Sequence, residues 1–334
     1  MTALSILDLA PVPVGASPGD ALRRARDLAQ AAERFGYNRY WMAEHHNMVG
    51  IASAATSVAL CYIGAHTSTI RIGAGGVMLP NHAPLVIAEQ FGTLDALFPG
   101  RVDLGLGRAP GTDGRTWRAM RRDPESSDRF PQDVLELQAL LGPVQDGQAI
   151  RAVPGADSNV PLWILGSSLF GAQLAAMLGL PYAFASHFAP DSLMQALKIY
   201  RETFRPSAQL ARPHAMVGCN IIAADTDAEA GRLFTSQQMS FTNMFRGTRG
   251  KLQAPIDDID QYWEPHEKAQ ASRMLACSVV GGPDTVARGV QRLLDQTGAD
   301  ELMVAAAIYD NDARIRSYEV LAQSAASLGR REAA

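Results

Sequence analysis

Residues 4–36 read LSILDLAPVPVGASPGDALRRARDLAQAAERFG. The apolar run Leu4–Ala10 has the length of a strand, and a Pro- and Gly-bearing loop follows it. Ser17 then offers an oxygen to the free N–H groups of a helix start. Pro18 suits the first helical position, and Asp20 sits near the positive end of the helix dipole. Leu22, Ala25, Leu28, Ala32 and Phe35 recur at three- and four-residue spacing, which makes one apolar face, and Gly36 stops the helix. The unit is strand, loop, helix.

The same unit recurs along the chain. Strands are predicted at Leu4–Ala10, Asn38–Glu44, Ile70–Gly76, Val102–Gly107, Leu162–Gly166, Tyr182–Ser186, Ala215–Ala223 and Glu301–Ala307. Strands alternating with helices predict a parallel sheet covered by helices, and eight of them close a TIM (β/α)8 barrel. A barrel can use the whole chain, 1–334, as one domain. Pro283 and Asp284 open the last complete unit, Val286, Val290 and Leu294 give its apolar face, and Gly298 ends it. Between strands seven and eight the interval 225–278 lacks clean periodicity. It is expected to be an insertion, either a lid over the barrel mouth or a surface excursion without a role.

Of the 334 residues, 47% are hydrophobic and 19% charged, which supplies a large core and excludes extended disorder. The 30 basic and 34 acidic residues are spread along the chain, so no footprint for nucleic acid is visible. Three cysteines, Cys61, Cys219 and Cys277, are too few and too scattered for a disulfide framework or a metal cluster of known spacing. The first residues lack a basic region ahead of an apolar one, and no apolar run reaches membrane-spanning length. A cytoplasmic protein with free thiols is the expectation.

The end of the second strand reads WMAEHHN and carries Glu44, His45 and His46. Adjacent side chains on a strand point to opposite faces, so one histidine of the pair faces the interior. Two histidines could instead satisfy backbone carbonyls near a loop. Gly73, Gly75 and Gly76 strip side chains from strand three, where a flat ring could lie. Gly105 and Gly107 do the same in strand four, and Arg108 follows with a planar guanidinium suited to phosphate. Gly166, Ser167 and Ser168 lead from strand five into a helix whose free N–H groups can hold an anion. Arg108 could equally pair with an acidic neighbour at the rim, and Ser is an ordinary cap. Strands four and five are neighbours, so the two elements together could grip one phosphate.

AEHH, the long block IGAGGVMLPNHAPLVIAEQFGTLDALFPGRVDLGLGRAPGTD, the LGSS loop and VVGGPDTVARGVQRLLDQTGADELMV together resemble the bacterial luciferase-like family of flavin-dependent monooxygenases. The resemblance implies that His45 is the active-site histidine, with Glu44 in support. It implies a cis peptide at Gly75–Gly76 under the flavin ring, Ala10 near that ring, and Arg108, Gly166, Ser167 and Ser168 around the phosphate. The cofactor implied is FMN, as FMNH2, and the co-substrate is O2. A C4a-hydroperoxyflavin would pass one oxygen atom to a small organic substrate, a polyketide intermediate being one candidate. A separate NAD(P)H:flavin reductase and a homodimer are also implied. Luciferase itself has a cysteine where Gly107 stands, so light emission is not expected.

No dinucleotide-binding glycine motif follows a strand, which suits a protein supplied with reduced flavin from outside. Three rival readings stand beside this one. They are a hydride-transfer oxidoreductase using the deazaflavin F420, a non-catalytic flavin-binding homologue, and a metal-dependent barrel hydrolase.

Overall fold

Alternation along β1 (Ala3–Asp8) sets the architecture. Leu7 points to one side of the sheet, and Ile6 and Asp8 to the other. The computed structural model describes residues 2–109 and 111–331. Helix α1 (Pro18–Phe35) begins with a capping box. Ser17 accepts from the Asp20 N–H, the Asp20 carboxylate accepts from the Ser17 N–H, and Gly36 closes the helix with φ +81°.

The chain continues through β2 (Arg39–Met42), α2 (Thr56–Gly64), β3 (Arg71–Met78), α3 (Pro84–Leu97), β4 (Val102–Gly107), α4 (Gly114–Ala119) and α5 (Phe130–Leu141). Next come β5 (Leu162–Gly166), α6 (Leu169–Leu178), β6 (Tyr182–Phe184), α7 (Leu193–Thr203) and β7 (Ala215–Ala223). Helices α8 (Asp227–Phe245) and α9 (Pro265–Met274) precede β8 (Ser278–Gly281), α10 (Pro283–Thr297), β9 (Glu301–Ala305) and α11 (Asn311–Arg331). No helix among the described residues is long and apolar enough to cross a membrane.

All pairings in the sheet are parallel. β1 to β7 pair in sequence, and β9 bridges β7 back to β1, so eight strands close the predicted TIM barrel. The predicted eighth strand is therefore β9. The short β8, absent from the sequence reading, pairs only with the upper half of β7 at Asn220–Ala223 and takes no part in closure. The interval 225–278 is largely helical rather than irregular. Its apolar positions lie on two separate helices joined by residues 246–264, and no single period spans them.

Inside the barrel lie Leu7, Trp41, Ala43, Trp163, Ala183, Met216 and Met303, while the larger core fills the layer between sheet and helices. The floor is ionic. Arg39 donates to Asp103 at 2.7 Å and to Glu301 at 2.8 Å, Arg71 reaches Asp103 at 2.6 Å, and Ser5 and His214 complete the Glu301 carboxylate. The Arg39 guanidinium also lies 4.7 Å from the Trp163 ring centre. Each of these strand starts presents its charge inward, and mutual pairing satisfies the buried carboxylates.

Candidate active site

The strand ends decide which groups reach the barrel mouth. β2 stops at Met42, so Glu44, His45 and His46 lie just beyond it, and alternation puts Trp41 and Ala43 inside. Glu44 faces away from the interior and is buried. Its Oε1 accepts from His46 Nε2 at 2.7 Å, His82 Nε2 at 2.8 Å and Asn81 Nδ2 at 3.3 Å, and its Oε2 accepts from the Met78 N–H at 3.0 Å. Burial pushes the carboxyl up, but the bonds from His46, His82 and Met78 outweigh it and bring its pKa to about 2. A carboxylate ionised to this degree only accepts, so both imidazoles carry a proton on Nε2.

Glu44 makes no hydrogen bond to His45 itself. It clamps the β2 loop to the segment after β3. The sequence held half of the signal, because Glu44 and His46 stand two apart and share a side, while His82 comes from 38 residues away.

His45 behaves differently. Its Nδ1 is buried and has no hydrogen-bond partner. Burial, with Arg249 and His46 nearby and Glu44 opposing, lowers its pKa to about 4. A second such imidazole, His187, was missed from sequence because it stands alone in the loop after β6. Its Nδ1 is also buried without a partner, and burial and then His45 lower its pKa to about 4.

Arg108 lies against the start of α6. The Arg108 guanidinium lies 4.5 Å from the ring centre of Phe170, in the first turn of α6. Ser168 is the N-cap of α6, yet its side chain makes no capping bond, so the helix start keeps free donors beside Ser167 and Gly166. Arg108 also donates to the Ser127 carbonyl at 3.1 Å and to Asp128 at 3.2 Å. That exposed pair is worth about 0–1 kcal/mol and leaves the guanidinium available to a stronger anion.

One expectation needs correction. The glycine floor is occupied by protein. A Cβ on Gly73 would meet Trp41 at 2.6 Å, one on Gly75 would meet Leu7 at 2.7 Å, and one on Gly105 would meet Leu165 at 2.6 Å. These glycines make room for the interior layer, so any flat ring must lie above it. Ala10 lies beyond β1, is fully buried, and adopts φ +47° while its N–H donates to Asp8 at 2.7 Å. The Gly75–Gly76 peptide bond is cis.

Residues 246–264 run across the mouth. Leu252 exchanges backbone bonds with Val12 and Val14 at 2.9 and 2.8 Å, Val12 bonds Gly50 at 2.9 Å, and Lys251 reaches the Ala16 carbonyl at 2.7 Å. A groove of about 540 Å³ opens between the loop after β2 and α4, lined by His46, Asn47, Arg115, Thr116, Ala119 and Met120.

The model of the luciferase-like monooxygenases matches residues 2–301. The chain belongs to that family. A luciferase-like monooxygenase of Escherichia coli (strain K12) is 54% identical over 319 residues, covering 95% of each chain. The crystal structure of apo-MsnO8 superposes with a TM-score of 0.91 at 36% identity, covering 97% of this chain and 98% of that one. The oxygenating constituent of 3,6-diketocamphane monooxygenase of Pseudomonas putida, a type II Baeyer–Villiger monooxygenase in complex with FMN, shares the fold at 16% identity and a TM-score of 0.72, covering 96% and 97%. The protein is thus an enzyme of the luciferase-like monooxygenase family.

Proposed function

We propose that this member oxygenates a small organic substrate with O2 and reduced FMN, the flavin being delivered by a separate NAD(P)H-dependent reductase. The carrying observation is the meeting of Arg108 with the uncapped start of α6, 4.5 Å from guanidinium to Phe170 ring centre. Arg108, Gly166, Ser167 and Ser168 would hold the phosphate. When bound, reduced FMN supplies the electrons that make O2 able to transfer one atom.

The chain's own groups do the rest. His45 presents an uncharged imidazole with a free Nδ1, able to accept a hydrogen bond or, briefly, a proton from the reacting group and to give it back readily. The 246–264 segment, pinned to Val12 and Val14, acts as a lid and limits water at the mouth. Glu44 holds the loop that carries His45. A second copy of the chain is proposed to cover the outer faces of α2 and α3, where Val58, Val86 and Leu97 stand exposed.

The test is a pair of titrations, with FMN and with F420, followed by turnover with a flavin reductase, O2 and a panel of thioethers, ketones and aromatic substrates. Tight binding of reduced FMN with an oxygenated product supports the proposal. Preference for F420 with hydride transfer, or flavin binding without any product, refutes it.

A further inference from the structure

His187 is placed with care for a residue that the site described so far does not use. Gly218 on β7 leaves the space for it, since a Cβ there would stand 2.6 Å from His187 Nδ1. Its carbonyl accepts from Asn220 Nδ2 at 2.6 Å. Asn220 is fixed in turn by Gln237 Nε2 at 2.6 Å, and Gln237 accepts from the Ala307 N–H at 3.3 Å. Four elements, β7, α8, the β6 loop and the residues after β9, thus orient one loop whose imidazole nitrogen bonds nothing. Met216, on β7 two residues before Gly218, and its neighbour Met303 on β9 belong to the interior layer, so His187 enters over the barrel's inner face.

Enclosed polar atoms in folded proteins find partners, and an enclosed imidazole nitrogen without one is suited to a ligand. His45 brings a second such nitrogen from the other side of the barrel, after β2. Charge on His45 would disfavour charge on His187.

We infer that His187 is a second acid–base residue of the oxygenation site, whose Nδ1 and that of His45 contact the reacting polar atom of the substrate from two sides. This rests on the reading of the site as an oxygenation centre. Two uncharged imidazoles can divide the work. One takes a proton at its bare nitrogen from the reacting group and passes that same proton to the oxygen atom that leaves as water, the electrons being those of the reduced flavin, while the other holds the reacting group by accepting a hydrogen bond, so both rings end uncharged as they began. Substrates with an O–H or N–H at the reacting position suit such a pair better than plain hydrocarbons. The charged and titratable groups facing the pair are Arg249 above His45, Glu44 and His46 beside it, and Cys277, whose Sγ lies 3.6 Å from the Gly218 carbonyl, beside His187.

The test uses the full chain with His187→Gln, His187→Ala and Gly218→Ala, the last leaving His187 in the sequence but pushing its ring aside. In turnover with reduced FMN, each is expected to lose at least tenfold in kcat for product, to release peroxide instead, and to keep FMN affinity within threefold. Gln is expected to restore part of the loss seen with Ala. Imidazole NMR on the flavin-free protein gives an independent arm, where His45→Gln should raise the His187 titration midpoint from about 4. If wild type oxygenates substrates while the three variants match its kcat and pH profile, or if the His187 midpoint does not move, the inference is overturned. A wild type that binds no reduced flavin would instead sink the proposed function, and the NMR arm would still report on the pair.

Discussion

Glu44 concentrates more consequence than any other side chain at the mouth, because one carboxylate receives two imidazoles, an amide and a backbone N–H. In Glu44→Gln the new NH2 group must face a donor, leaving at least one buried group unpaired. The expected cost is about 1–3 kcal/mol, read as a lower guanidinium midpoint at pH 7. The acid response follows from the same residues. Glu44 and Glu301 have folded pKa values near 2, below the ordinary 4.5; for Glu301, burial is outweighed by His214, Arg39 and Ser5. Their contribution is full above about pH 4.5 and is lost as pH falls toward 2. His45 and His187, uncharged until about pH 4, lose stability as the unfolded chain takes up protons below about 6.5. Unfolding free energy should therefore fall continuously from about pH 6.5 to pH 2, and His45→Gln should flatten the upper part. An unchanged slope between pH 6.5 and 4 in that variant would contradict the argument.

At the scale of elements, two joints are open to test. Arg108 and the start of α6 come from neighbouring strands, and Arg108→Ala should weaken FMN binding by roughly 10- to 100-fold, the value of a charge-assisted bond of about 1.5–3 kcal/mol. Fluorescence titration would show it. The second joint is the crossing of the 246–264 segment over Gly50, where any Cβ would run into the Gly250 carbonyl. Gly50→Ala should lift the segment and speed tryptic cleavage at Arg246, Arg249 or Lys251, while the barrel stays resistant.

The elements themselves were largely legible. β4, β5 and β7 begin and end where their apolar runs do, and α1 and α10 stop at the glycines that their patterns indicate. β1 and β2 ended early because their last residues turn into the mouth, Ala10 with a left-handed φ. β8 was too short to stand out, and its partner is only half of another strand. The placement of the candidate residues was legible where motif and position coincided, since His45, Arg108 and the Gly166–Ser168 loop all stand at or just beyond strand ends, as their sequence positions indicate. It was not where contact is long-range. Nothing local ties His82 to Glu44, and nothing near His187 announces the glycine 31 residues later that makes room for it. The strand glycines misled for a related reason, since a bare position admits a neighbouring tryptophan as readily as a ligand.

On the scale of the whole molecule, the helices α2 and α3 carry apolar residues outward as well as inward. Val58, at 70% exposure, is more exposed than Val86 or Leu97 on that face. Val58→Asp should convert a dimer to monomers in sedimentation velocity without changing the circular dichroism spectrum. A wild type that sediments as a monomer would remove the proposed second copy.

The paired charges of Arg39, Asp103, Glu301 and Arg71 cork the vessel at its base. With that end closed among the described residues, organic reactants and products would share the opposite mouth and pass through it in turn, one leaving before the next arrives. In such a one-door chamber, departure rather than chemistry can set the pace. A leakier rim would trade faster emptying for reducing power wasted on water.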